Sequence, residues 1–148
     1  MLLAPSVTAA LAFFASGPVA VQCPGDLGVD NVGHADTKRR IVSLLDYECA
    51  SLNRFARSRI LPSPIQIAPG EWNHPDADLA DAMMLAIHEA THVRDPNAGE
   101  ATVQCFAVRN VASLAKRLGA RRTDRMRLAR LARWSWREMM PLRYQSPC

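Results

Sequence analysis

The stretch Asp76-Ala77-Asp78-Leu79-Ala80-Asp81-Ala82-Met83-Met84-Leu85-Ala86-Ile87-His88-Glu89-Ala90-Thr91-His92-Val93 decides the reading of this chain. Leu79, Met83, Ala86, Ile87, Ala90 and Val93 recur at steps of three and four, the spacing of a helix with an apolar face. Pro75 suits the first helical position, and Asp76 and Asp78 complement the positive end of the helix dipole. Asp95-Pro96-Asn97-Ala98-Gly99 ends the helix and turns the chain. On that helix His88 and His92 lie one turn apart and point the same way, so both imidazoles can reach one cation. Glu89 follows His88 by about 100 degrees of rotation. It can lean over a metal without ligating it, where a general base belongs.

A zinc site of this kind needs a third protein ligand and an open position for water. The sixth residue after His92 is Ala98 and the third is Asp95, so the elongated three-histidine pattern is excluded. Glu100, at the start of the next helical stretch, is the better candidate, with Asp95 as the alternative. Two histidines from one helix and a glutamate from the next resemble the gluzincin division of zinc metallopeptidases, over about residues 76–110. The resemblance implies that His88, His92 and Glu100 hold Zn2+ and that Glu89 is the catalytic base. It further implies hydrolysis of a peptide bond by a metal-activated water, on a peptide or protein substrate. His74, Arg94 and Tyr144 are the candidate donors to the developing oxyanion, and nothing in the sequence chooses among them. Ile65-Gln66-Ile67 could offer a strand edge to an extended peptide. The alternative function is a non-catalytic exported domain that zinc stabilises.

Outward from this core, a helix is expected over Thr37–Arg59, where Ile41, Leu44, Leu45, Cys49, Leu52 and Phe55 keep helical steps and Asp36 or Thr37 is placed to cap. Ile65–Ala68 alternates between Pro64 and Pro69 and reads as a short edge strand. Further helices are expected from Glu100 to about Leu118, closing at Gly119, and from Asp124 to about Met139, stopped by Pro141. The fold class is therefore mainly α, or α+β with one short strand or hairpin, around a pair of active-site helices.

The 148 residues suit one domain, expected over residues 23–148. Asp26 is the first charged side chain, and the apolar run before it reads as a signal peptide or membrane anchor over residues 1–22, with Ala20 at the cleavage position. No Lys or Arg precedes that run. Cys23, Cys49, Cys105 and Cys148 all follow it, and four cysteines in an exported chain suggest two disulfides of undetermined pairing. Localisation is thus expected to be secreted or cell-surface.

The formal charge of +4 hides an asymmetry: residues 1–100 hold 7 Lys/Arg against 12 Asp/Glu, and residues 101–148 hold 11 against 2. Lys116, Arg117, Arg121, Arg122, Arg125, Arg127, Arg130, Arg133 and Arg137 form a basic face suited to an anionic lipid or cell-surface polymer. The plainer reading makes it the solvated side of a helix whose Met126, Leu128, Leu131, Ala132 and Trp136 pack inward. Nucleic acid is not expected as a partner of an exported chain.

Overall fold

A computed structural model describes residues 3–27, 33–140 and 148. In chain order the elements are α1 (Pro5–Phe14), β1 (Ala20–Gln22), β2 (Gly33–Asp36), β3 (Ile41–Leu44), α2 (Asp46–Ser58), β4 (Ile65–Ala68), β5 (Glu71–Asn73), α3 (Pro75–Arg94), α4 (Glu100–Arg117) and α5 (Arg122–Met139). The fold is mainly α, with a three-stranded sheet in the order β1-β3-β2 and a separate β4-β5 hairpin. β1 pairs parallel with β3, and β2 pairs antiparallel with it.

α3 is the axis of the molecule. Leu79, Met83, Met84, Ile87 and Ala90 are buried on it, and it packs against α1, α2, α4, α5 and the sheet. A helix covered on most sides belongs to the interior. Its entry follows the sequence: Pro75 stands at the first helical position, and Asp76, 1% exposed, receives the Arg127 guanidinium at 2.6 Å. That ion pair ties the amino end of α5 to the amino end of α3.

The helix expected over Thr37–Arg59 is two elements. Ile41–Leu44 is the central strand β3, paired on both sides, and the helix begins only at Asp46. Ile41, Val42 and Leu44 fit a half-buried pleat as well as a helix face, and neighbours on both sides give strand pairing the advantage. Asp36 caps a turn instead of a helix, its Oδ1 accepting the Arg39 amide at 2.9 Å. The start of α2 is held by Glu48, whose Oε2 accepts the Leu45 amide at 2.9 Å. Met126, expected inward, is 51% exposed, while Leu128 and Ala132 are buried.

The apolar N-terminal run lies within this packing. Val7 and Leu11 are fully buried, Phe14 is 1% exposed, and the Ala4 amide donates to Asn53 Oδ1 of α2 at 2.6 Å. Among the described residues no helix is long and apolar enough to cross a membrane. The cysteines form two disulfides, Cys23–Cys49 and Cys105–Cys148.

Candidate metal centre

Helix spacing on α3 and α4 builds this site. His88 and His92 sit in the last two turns of α3, and Glu100 opens α4 after a short turn. Glu100 Oε2 lies 3.1 Å from His88 Nε2, and Glu100 Oε1 lies 3.3 Å from His92 Nε2. The two Nε2 atoms are 3.1 Å apart. These three residues form a group that could hold a metal ion, with one ligand atom from each lying within 4.8 Å of the others. Ligand atoms around a tetrahedral zinc at ~2.0–2.1 Å stand about 3.3 Å from one another. The separations in this protein fit that spacing.

The ring chemistry fits as well. Gln104, one turn after Glu100 on α4 and 4% exposed, receives His88 Nδ1 on its Oε1 at 2.7 Å. A donor at Nδ1 leaves Nε2 of the neutral ring as a lone pair aimed at Glu100 and His92. Burial lowers the His88 pKa, and the neighbouring His92 lowers it further, against the raising influence of Gln104 and Glu100. The neutral form is the one a metal requires. Sequence reading did not find Gln104. The signal available was its position four residues after Glu100, the same spacing that joins His88 to His92.

Glu89 is 8% exposed. Desolvation, with Glu100 and Glu48 adding to it, pushes its carboxyl up to about 8. A divalent cation among the three ligands would act in the opposite sense. The cover over Glu89 comes from β2: a Cβ on Gly33 would stand 2.8 Å from Glu89 Oε1 and 3.0 Å from Leu85 Cδ1. A side chain at this position would push Glu89 and Leu85 aside, so glycine suits the close approach of the strand.

The other candidates fall elsewhere. Asp95 is outside the cluster; its Oδ1 accepts the Asn97 amide at 3.3 Å in the turn after α3. His74 stands at the N-cap of α3, at the far end of a 20-residue helix from His92. The Arg94 guanidinium lies over the Phe106 ring, 4.7 Å from its centroid. Tyr144 lies outside the described residues. The Ile65–Ala68 strand exists as expected, but its hairpin precedes the amino end of α3, remote from the metal group at the carboxyl end.

Replacing Gln104 with alanine should weaken metal binding at this group by roughly 10- to 100-fold, the usual effect of losing an outer-shell partner. Competition with a chromophoric chelator would measure it. Unchanged affinity would remove Gln104 from the site. Comparison of the chain with family models, with curated proteins and with solved structures finds no match.

Proposed function

We propose that the chain is a gluzincin-like zinc peptidase, with His88, His92 and Glu100 as metal ligands and Glu89 as the general base. The observation that carries this reading is the convergence of two imidazoles and a carboxylate within 4.8 Å beside a buried glutamate. Two nitrogens and one oxygen make a donor set that suits zinc. When bound, zinc supplies Lewis-acid polarisation of a peptide carbonyl and of the attacking water. Glu89 takes the proton of that water on its carboxylate and passes it to the nitrogen of the leaving amine. Gln104 keeps the His88 ring in register throughout. β2 is an edge strand beside Glu89, and its outer side has no strand partner among the described residues. An extended peptide pairing there would run past the base.

The burial of Glu89 under Gly33 favours a second reading, in which the metal is a staple for α3 and α4 without turnover. Both readings require the ion. Protein equilibrated with zinc and freed of excess should retain one equivalent, measured by plasma emission against protein concentration. Glu100→Ala should lower affinity by more than about 100-fold, beyond the range of an outer-shell loss. Asp95→Ala should leave it unchanged. A wild-type protein that takes up no transition metal at neutral pH would end both readings.

A further inference from the structure

The two ends of the helical body differ in chemistry. The metal group sits where α3 ends and α4 begins; at the opposite end the carboxyl ends of α2 and α4 meet the amino ends of α3 and α5. Two contacts draw these four termini together. The Arg59 side chain lies over Gly119, where an added Cβ would be 3.2 Å from Arg59 Cδ, and Arg127 pairs with Asp76. Arg57, Arg59, Lys116, Arg117, Arg121 and Arg122 are exposed around them. The acids at this end are fewer. Asp78 is exposed and Asp124 half-buried, Asp76 is held by Arg127, and Glu71 lies in β5 of the hairpin.

Large apolar side chains lie on the chain between α2 and α3, where Ile60 follows Arg59 and the β4-β5 hairpin leads into α3. Ile60 is 66% exposed, Ile65 56% and Ile67 65%. The last two lie on β4, whose hairpin has no substantial packing against another element among the described residues. A lone two-stranded hairpin is marginal in water, so exposed isoleucines on one call for an apolar environment. An apolar cavity of about 300 Å³ opens between the carboxyl end of α2 and the amino end of α3, lined by Phe55, Ile60, Leu61 and Leu79, with Arg54 also in its wall.

We propose that this end of the molecule docks on an anionic phospholipid membrane. The arginines and Lys116 meet headgroup phosphates, and Ile60, Ile65 and Ile67 enter the acyl boundary. The metal group then faces away from the bilayer. Exposed cations and exposed aliphatic side chains toward one end of the molecule fit such an interface, where charge attraction and apolar burial add. A nucleic acid would use the cations but gain little from isoleucines, since bases stack on aromatic rings. The inference does not depend on metal binding or on catalysis.

The test is co-sedimentation of the full chain with vesicles of equimolar phosphatidylglycerol and phosphatidylcholine, against phosphatidylcholine alone. Binding should require the anionic lipid. Arg121→Glu with Arg122→Glu should weaken it by at least ~20-fold, at about fivefold for each cation lost near the surface. Ile65→Ser with Ile67→Ser should weaken it by about tenfold through lost apolar burial. Arg130→Glu with Arg133→Glu, the same charge change along the exposed flank of α5, should cost less than half as much on a logarithmic scale. Circular dichroism verifies that each variant is folded. Equal binding to phosphatidylcholine alone, or wild-type binding by the isoleucine variant, overturns the proposal. So does a loss in the α5 control equal to that at Arg121 and Arg122, or tighter binding to a DNA duplex that is indifferent to the isoleucines.

Discussion

Glu89→Gln is expected to retain one equivalent of zinc and an unchanged helical spectrum while hydrolysing peptides roughly 100- to 10,000-fold more slowly, the range attributed to general acid–base catalysis. The substitution is nearly isosteric, which matters beneath Gly33, where the strand and the Glu89 side chain stand close together. It puts a neutral amide where burial already disfavours the charged carboxylate, so the fold should be no less stable than the wild type. The ligand atoms of His88, His92 and Glu100 are untouched. A generic peptide library, read by mass spectrometry with and without a chelator, supplies the rate. If the wild type cleaves nothing in that library, the staple reading prevails over the peptidase reading.

Deleting residues 1–22 is expected to abolish cooperative unfolding. Val7, Leu11 and Phe14 are each at most 1% exposed. Burial of three such side chains is worth roughly 5–9 kcal/mol. That is comparable to the whole stability of an ordinary domain, about 5–15 kcal/mol. The deletion also removes β1, the parallel partner of β3. Leu11→Ala is the milder version and should cost about 2–5 kcal/mol in urea unfolding. A chain beginning at Cys23 that unfolds with wild-type midpoint and slope would show that these residues are dispensable, as a cleaved leader would be.

Much of this architecture was legible because helix periodicity is strong where a helix is long. α3, α4 and α5 were expected within a few residues of where they stand, with Pro75, Gly119 and Pro141 as punctuation. The approach of Glu100 to the histidines was legible too, since the turn Asp95–Gly99 is short enough to fold α4 back along α3. What sequence could not resolve was the sheet. Ile41-Val42-Ser43-Leu44 becomes a strand because β1 and β2 flank it, and such non-local pairing leaves no mark on local spacing. The same holds for Gly33. Its role comes from a contact with Glu89, 56 positions along the chain, that only the folded molecule contains.

The two disulfides bear on how the protein should be made. The Cys23–Cys49 bridge closes the loop that carries Gly33 over Glu89, and Cys105 is the immediate neighbour of Gln104 on α4. Thiol reduction would therefore loosen the two supports of the candidate metal group, the strand above Glu89 and the helical turn carrying Gln104, while leaving most of the helical core in contact. If the proposed metal site holds, material from a reducing cytosol should keep its helical spectrum and bind metal more weakly. Oxidative production, with zinc added after the bridges have closed, is the route to a sample whose metal content reports on the native site.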